Sequence, residues 1–411
     1  MNIYDVFFYL SIFAGFMMAF NLGANDVANS MASAVGAKAI TVRQAVFIAG
    51  ILNFCGAVFL GSQVTATISK GIINAELITD PIIMMIGMFS ALLAAGIWVL
   101  IATFTALPVS STHSIVGAIL GFGIIAGGAA VVNWWVIGGI VLSWIISPFA
   151  AAGIGFLVFS HIKKFILNKR DFIAQACKWA PIWMTLTVSL LTMSFLYKTP
   201  VGKGLHLALW QSLSIAAIIG FAVWAWGRKI VKKVVRTTEE GAEAVEMTFK
   251  KLQVGTSCYI AISQGANDVA NAIGPVAAIY LISREHVLSP KAEVPLSILI
   301  LGGIGIACGI TVLGYKVMST VGEKITVLNN TRGFSVDFSS ATTILCASNL
   351  GLPVSSTHAT IGGVVGVGLA RGFGAVDFRV LGKIVIYWVL TVPIAAFTSM
   401  GIFAILKQIC L

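Results

Sequence analysis

Long apolar runs, separated by short polar segments, dominate this chain. Residues 81–162 contain no Asp, Glu, Lys or Arg, and further uncharged runs occupy 44–69, 294–315, 338–370 and 384–406. Because a helix needs roughly 20 apolar residues to cross a bilayer, the first run alone accommodates about three or four crossings. The pattern predicts an all-α, polytopic membrane protein.

The starts of the apolar segments predict five crossings, or their equivalent, in each half of the chain. In the first half these segments begin near residues 4, 43, 82, 110 and 135. Two more apolar segments lie in the middle, at 179–197 and 207–226. The sum is about 12 transmembrane segments, some of them expected to be broken or re-entrant helices.

Basic residues flank the two central segments on both sides. Four Lys or Arg residues lie between positions 163 and 170, and a second basic stretch runs from Arg228 to Lys251. Cytoplasmic loops carry an excess of Lys and Arg, so both flanks are predicted to be cytoplasmic. With an odd number of crossings on either side, both termini are then extracytoplasmic, in a plasma-membrane protein whose halves have inverted topology.

The segment at 237–252 has an amphipathic pattern. Thr237 and Glu240 have the spacing of a capping box, and Val245 and Phe249 belong to an apolar stripe. The pattern predicts a short helix on the cytoplasmic surface, with an ordinary linker helix as the alternative.

Two polar strings each occur twice, in the same order. Gly-Ala-Asn-Asp-Val-Ala-Asn occupies 23–29 and 265–271, and Pro-Val-Ser-Ser-Thr-His occupies 108–113 and 353–358. The copies are offset by 242 and 245 residues respectively, so each half keeps nearly the same internal spacing. We interpret the chain as transmembrane repeat one at 1–160, a central two-helix segment at 161–250 and transmembrane repeat two at 251–411. Inverted repeats place substrate and ion sites at the midplane between the halves.

Each copy of the first string places a carboxylate inside an apolar run. A lone buried charge is expensive and marks a functional site, and amide oxygens nearby suit a small hard cation. We expect unwinding near Gly23 and Gly265 to free carbonyls that complete the ligand shell. Interhelical hydrogen bonding is the alternative role. The predicted sodium ligands are Asp26, Asn25, Asn29, Asp268, Asn267 and Asn271.

The second string predicts a helix that begins in mid-membrane. Pro favours the first turn of a helix, and hydroxyl residues follow it directly. Free N–H groups and the positive end of the dipole attract an anion there, whereas simple N-capping is the alternative. The predicted ligands of a tetrahedral oxyanion such as phosphate are Ser110, Ser111, Thr112, Ser355, Ser356 and Thr357, with Asn25 and Asn267.

Neither string contains Lys or Arg, so cations bound at Asp26 and Asp268 are expected to offset the charge of the anion. Anion and cation should then bind cooperatively, because each lowers the desolvation penalty of the other. We interpret His113 and His358 as structural hydrogen-bonding residues, with proton-sensitive donors as the alternative.

Composition narrows the functional classes. The formal net charge is +11 and the mean hydropathy is +0.98, but the basic residues lie beside apolar runs, which indicates the lipid bilayer rather than nucleic acid as the partner. The six cysteines are scattered without a CxxC pair, so we expect no disulfide framework, metal centre or cofactor.

The duplicated strings make this chain similar to the PiT family of inorganic phosphate transporters, whose signatures have the form of GANDVANS at 23–30 and GANDVANAIGP at 265–275. The resemblance spans both repeats. It implies secondary transport of phosphate with sodium, or with protons in many bacterial members, and sulfate transport in some relatives. It also implies a homodimer, alternating access, and ion and phosphate sites at the Asn, Asp, Ser and Thr positions named above. Asn53 stands where several members have Glu, so the coupling ion and its stoichiometry do not follow from the resemblance.

Rival functions lack the residues that they require. A channel is disfavoured because no TVGYG-like filter is present, and an ATP-driven pump because no GxxxxGK[ST] loop is present. An enzyme acting on phosphate esters would need one Ser–His site, and here that string is duplicated. We therefore predict a sodium-coupled phosphate importer that is not an enzyme. Coupling to protons, and a metal-phosphate complex or sulfate as substrate, remain the alternatives.

Overall fold

The computed structural model describes residues 2–74, 77–78, 80–105, 109–237, 242–285, 294–324 and 329–411. Across these ranges the chain is all-α, as the apolar pattern predicts, and the β contact found there is an isolated bridge between Ile73 and Val132. The fourteen α-helices of the described residues are α1 (Ile3–Gly36), α2 (Val42–Leu60), α3 (Ser62–Ala66), α4 (Pro81–Thr105), α5 (Ser111–Gly127), α6 (Trp134–Ile162), α7 (Phe172–Lys198), α8 (Pro200–Gly204), α9 (Leu209–Thr237), α10 (Ala242–Glu285), α11 (Leu296–Lys324), α12 (Asn330–Asn349), α13 (Ser356–Arg371) and α14 (Phe378–Cys410).

Five helices of the first half begin within one residue of the predicted positions, at residues 3, 42, 81, 111 and 134. Caps explain two of these starts. At α2, Thr41 Oγ1 accepts from the Gln44 N–H (3.3 Å) and the Gln44 side chain accepts from the Thr41 N–H (3.0 Å), which is a capping box. At α6, the Asn133 side chain accepts from the Val136 N–H. The two predicted central helices are α7 and α9.

Eight helices of the described residues are long and apolar enough to cross a membrane. They are Ile3–Gly36, Val42–Leu60, Pro81–Thr105, Trp134–Leu167, Phe172–Tyr197, Leu209–Val235, Leu296–Tyr315 and Phe378–Cys410. By contrast, α5 and α13 have 17 and 16 residues, fewer than the roughly 20 that a full crossing needs. The chain is a multi-pass membrane protein, and the total of about 12 crossings stays a prediction.

The amphipathic segment expected at 237–252 is not a separate surface helix. From Ala242 onward it forms the first turns of α10, a continuous helix of 44 residues. Val245 and Phe249 are buried in a hydrophobic cluster with residues of α7, α9 and α12. The apolar stripe therefore packs inside the protein rather than on lipid. Glu240 of the expected capping box lies outside the described residues.

The two halves interlock through glycine contacts. Helix α1 packs on α11, and α10 packs on α2. A Cβ at Gly23 would overlap the carbonyl oxygen of Ile306, and a Cβ at Gly265 would overlap that of Asn53. Because glycine has no side chain, the backbones approach closely at both points.

The same exchange holds α5 and α13, which we call the half-helices. Helix α5 packs on α14 of the second half, and α13 packs on α6 of the first half. A Cβ at Gly121 would overlap the Ala396 carbonyl, and a Cβ at Gly366 would overlap the Ala152 carbonyl. Each half-helix is thus fixed by the last long helix of the other half.

One departure from this matched arrangement lies beside a half-helix. After α2 the chain breaks at Gly61 into α3 and a π-helical turn at Thr67–Gly71, whereas α11 continues to Lys324. Thr67 Oγ1 donates to the Gly351 carbonyl at 2.7 Å. The first half therefore covers the loop that leads into α13.

Candidate functional site

The first duplicated string lies on unbroken helix in both copies. Helix α1 runs through 23–29 and α10 runs through 265–271 without interruption. The expected unwinding at Gly23 and Gly265 is therefore wrong. These glycines serve close helix packing instead, and their carbonyls remain within the helical hydrogen-bond pattern.

The second duplicated string begins a helix in both copies, as predicted. Ser110 is the N-cap of α5, and its Oγ accepts from the His113 N–H at 3.2 Å. Ser355 is the N-cap of α13 and accepts from the His358 N–H at 3.2 Å. Pro108 lies outside the described residues. Ser110 and Ser355 are therefore N-caps, which was the alternative role expected from the sequence. As caps their hydroxyl oxygens act as acceptors, so each hydroxyl hydrogen is still available for donation.

The two strings meet within each half. Ser111 Oγ donates to Asp26 Oδ2 at 3.0 Å, and Ser356 Oγ donates to Asp268 Oδ2 at 3.1 Å. The other oxygen of each carboxylate accepts from the preceding Asn side chain, at 3.2 Å from Asn25 and at 2.8 Å from Asn267. Each carboxylate therefore accepts from a Ser hydroxyl and from the preceding Asn side chain, and Gln264 is a further side-chain hydrogen-bond partner of Asp268.

The second Asn of each string crosses to the other half. Asn29 Nδ2 donates to Thr357 Oγ1 at 3.1 Å, and Asn271 Nδ2 donates to Thr112 Oγ1 at 3.1 Å. These crossed bonds join both copies of both strings into one polar cluster, to which α1, α5, α10 and α13 contribute.

Asn25 and Asn267 differ in their surroundings. Asn267 Nδ2 donates to the Val354 carbonyl at 2.6 Å, and its Oδ1 accepts from the Val354 N–H at 3.2 Å. The same carbonyl accepts from Thr112 Oγ1 at 3.0 Å. Asn267 thus fixes the loop before α13, whereas the bond described for Asn25 is the one to Asp26.

The cluster is buried and, within the described part of the chain, contains no Lys or Arg side chain. Asp26 and Asp268 are 3% and 2% exposed, and both carboxylates belong to the same hydrogen-bonded cluster. Among the described residues, no Lys or Arg forms an ion pair with either one. Hydroxyl and amide donors offset only part of the cost of burying a carboxylate.

Two further buried polar residues were missed by the sequence analysis. Gln264, directly before the second string, donates through Nε2 to the Asp26 carbonyl at 2.6 Å. Asp337 of α12 is 1% exposed and accepts from Ser33 and Ser257, at 2.7 Å from each hydroxyl. Neither residue belongs to a duplicated string, so the repeats do not point to them. Asp337 directly precedes the uncharged run at 338–370, and Gln264 directly precedes the second copy of the first string, so both positions could have been noted in the sequence.

A buried polar cluster at the meeting point of short helices, inside a multi-pass membrane bundle, defines a membrane transport protein. Comparison of the sequence with known protein families agrees with this class, because the model of the phosphate transporter family matches residues 22–399. The chain belongs to this family, which confirms the resemblance found in the sequence and the prediction that the protein is not an enzyme.

Relatives match over nearly the whole chain. A predicted phosphate permease of Thermococcus kodakarensis is 47% identical over 406 residues, which cover 99% of each chain. Inorganic phosphate transporter 2-1, chloroplastic, of Arabidopsis thaliana is 37% identical over 418 residues, which cover 94% of this chain and 70% of that protein. Among solved structures, "The sodium-dependent phosphate transporter" matches with a TM-score of 0.94 and 46% identity, covering 98% of this chain and all of the other.

Proposed function

We propose that this protein imports inorganic phosphate by symport with sodium, through alternating access. The observation that carries the proposal is the crossed cluster, in which two half-helix starts with hydroxyl side chains meet two buried carboxylates. Membership of the phosphate transporter family and the likeness to a sodium-dependent phosphate transporter support it.

Phosphate is assigned to the starts of the half-helices. Each start offers N–H groups that the helix itself does not satisfy, together with the positive end of the helix dipole. Ser110, Ser111 and Thr112 add hydroxyls from one side, and the matching residues Ser355, Ser356 and Thr357 add them from the other. Asn25 and Asn267 flank this cradle, which therefore presents neutral donors to a tetrahedral anion.

Sodium is assigned to Asp26 and Asp268, with the amide oxygens of Asn25, Asn29, Asn267 and Asn271 as further ligands. Sodium shares with other hard cations a preference for oxygen ligands. Because the cradle contains no fixed positive charge, cations at the two carboxylates would offset the charge of the phosphate. Their mutual attraction in a buried site explains why the two solutes would cross together.

Alternating access is supported by the way the halves interlock. Each half-helix contacts the last long helix of the other half, so a movement of one half against the other changes access to the cluster between them. We further propose that the two halves are inverted repeats, with boundaries near 1–160 and 251–411. By resemblance to the family, the protein is expected to be a homodimer in the cell membrane.

The test is uptake of radiolabelled phosphate into proteoliposomes that contain the purified protein. An inward sodium gradient is compared with an inward proton gradient at the same membrane potential, with and without excess sulfate. Uptake that is driven by sodium and unaffected by sulfate supports the proposal. Uptake driven only by protons would reassign the coupling ion, and competition by sulfate would reassign the substrate.

A further inference from the structure

Four aromatic rings form a cluster directly behind the half-helix starts. The His113 ring lies 3.8 Å from the Trp144 ring, and the His358 ring lies 3.6 Å from the Trp388 ring, between centroids. The two imidazoles are in edge contact, with their centroids 4.5 Å apart. The cluster thus joins α5 and α13 to α6 and α14 where the two halves meet.

The imidazoles form crossed hydrogen bonds between the halves. His113 Nδ1 lies 3.0 Å from the Trp388 carbonyl oxygen, and His358 Nδ1 lies 3.3 Å from that of Trp144. A carbonyl only accepts hydrogen bonds, so Nδ1 must carry the hydrogen in both rings. Both Nε2 atoms are buried without a partner in the described residues. A buried acceptor without a partner is less costly than a buried N–H without one, so this also favours the tautomer with hydrogen on Nδ1.

A proline makes one of these bonds available. Pro148 lies inside α6, four residues after Trp144, and it has no N–H to donate to the Trp144 carbonyl. That carbonyl is left without its usual helical partner, and His358 supplies one from the other half. The Trp144 indole in turn donates to the Pro353 carbonyl at 3.0 Å, in the loop before α13.

These bonds act on the first turns of the half-helices. His113 directly follows Ser111 and Thr112, whose hydroxyls contact Asp26 and Asn271. Loss of the hydrogen bond from His113 to the Trp388 carbonyl would rotate or shift the first turn of α5. The hydroxyls of Ser111 and Thr112 would move with it. His358 stands in the same relation to Ser356 and Thr357.

We propose that His113 and His358 are positioning residues, which set the orientation of the two half-helix starts through hydrogen bonds donated by Nδ1 to the opposite half. The proposal rests on the phosphate cradle assigned above. The imidazoles act through Ser111, Thr112 and their counterparts, and they do not touch the anion themselves.

Two substitutions at each position separate positioning from packing. An Asn side chain carries its amide nitrogen as many bonds from the Cβ as His Nδ1, whereas a Gln side chain places it like Nε2. Both remove the ring. His113→Asn, His113→Gln, His358→Asn and His358→Gln should therefore lose thermal stability to a similar degree. Only the Asn variants keep a donor in the place of Nδ1.

The expected result is a difference in KM for phosphate. The Gln variants should raise KM about tenfold, the upper range for loss of one hydrogen bond, while the Asn variants stay within about threefold of wild type. His161 provides the matched control, because its ring packs 4.5 Å from the Trp179 ring but its Nδ1 has no hydrogen-bond partner among the described residues. Its Asn and Gln variants should share one KM. Equal KM values for Asn and Gln at positions 113 and 358, or a higher value for Asn, would overturn the proposal.

A second measurement does not depend on transport or on the folding of variants. Nitrogen-15 NMR of the wild-type protein labelled at histidine reports the tautomer of each ring, and two resonances should show hydrogen on Nδ1. If no buried imidazole has that tautomer, the positioning role is refuted even in a protein that transports phosphate. Absence of phosphate uptake by wild type would instead refute the proposed function, whatever the tautomer.

Discussion

Asp26 and Asp268 share two kinds of partner, although 242 residues separate them in the chain. Each accepts from a Ser hydroxyl and from the preceding Asn side chain, Asp268 has Gln264 as a further partner, and neither forms an ion pair with Lys or Arg in the described residues. The cost of this burial makes them the residues at which a bound cation contributes most.

Replacing either carboxylate by its amide should remove sodium-dependent uptake. Asp26→Asn and Asp268→Asn keep the shape but lose the charge that a cation needs, and removing one partner of a buried pair costs about 3 kcal/mol, or roughly 100-fold in apparent sodium affinity. The measurement is uptake against sodium concentration, at matched protein content in the membrane. Asp5→Asn is the control, since Asp5 lies on the same helix but is exposed. Wild-type sodium dependence in both variants would contradict the cation sites.

Ser110 and Ser355 have two separable roles, as helix caps and as donors to phosphate. Gly at an N-cap costs only a few tenths of a kcal/mol relative to Ser, but it removes the hydroxyl. Ser110→Gly and Ser355→Gly should therefore unfold at nearly the wild-type temperature and raise the KM for phosphate by about three- to tenfold. Asn133→Gly removes a cap remote from the cluster and should leave KM unchanged. An unchanged KM in both Ser variants would show that these residues only cap their helices and do not bind phosphate.

At the scale of elements, the first glycine of each duplicated string is explained by helix packing rather than by ligand binding. Helices α1 and α10 stay intact there, and each approaches a helix of the other half so closely that a Cβ would overlap a carbonyl oxygen. The string therefore combines a packing residue and the proposed ion ligands on one helix. Any displacement of the helix axis would move the carboxylate as well.

Adding one methyl group at this contact should be destabilising. Gly265→Ala forces its Cβ against the Asn53 carbonyl, and overpacking of this kind costs about 1–3 kcal/mol. Gly255→Ala on the same helix has no atom within 4 Å of the added carbon, so it should be neutral or stabilise by up to about 1 kcal/mol. Thermal unfolding in detergent compares the two variants. If the Gly265→Ala protein is as stable as the Gly255→Ala protein, α10 and α2 can move apart without loss of stability, and the close contact is not required.

At the scale of the whole molecule, the interlocked halves explain why one site is built from both ends of the chain. The cluster includes α1 and α13, whose contact joins Asn29 to Thr357. Neither half contains a complete set of partners. The proposed inverted topology would bring the two copies of each string face to face. It also predicts that both termini are extracytoplasmic and that the basic flanks of the central segment are cytoplasmic.

Membrane sidedness can be tested with single cysteines placed at exposed positions in a background without the six native ones. Asn2→Cys and Leu411→Cys should react with a membrane-impermeant maleimide on intact cells, because both termini are predicted to be extracytoplasmic. Lys169→Cys, in the first basic flank, should react only after permeabilisation. If the termini and Lys169 are labelled from the same side, the two halves are not inverted as proposed.

The sequence by itself determined the features that depend on neighbouring residues. Apolar runs place the helix starts, and duplication identifies both strings, since these are local or repeated properties of the chain. Only the tertiary structure decided which partners the strings have. The crossing of Asn29 to Thr357, the contact of Gln264 with Asp26, the continuity of α1 at Gly23 and the burial of Asp337 all depend on helices far apart in the sequence. Such contacts depend on how closely the backbones of different helices approach each other. The pattern of residues within one helix does not determine the distance to another helix.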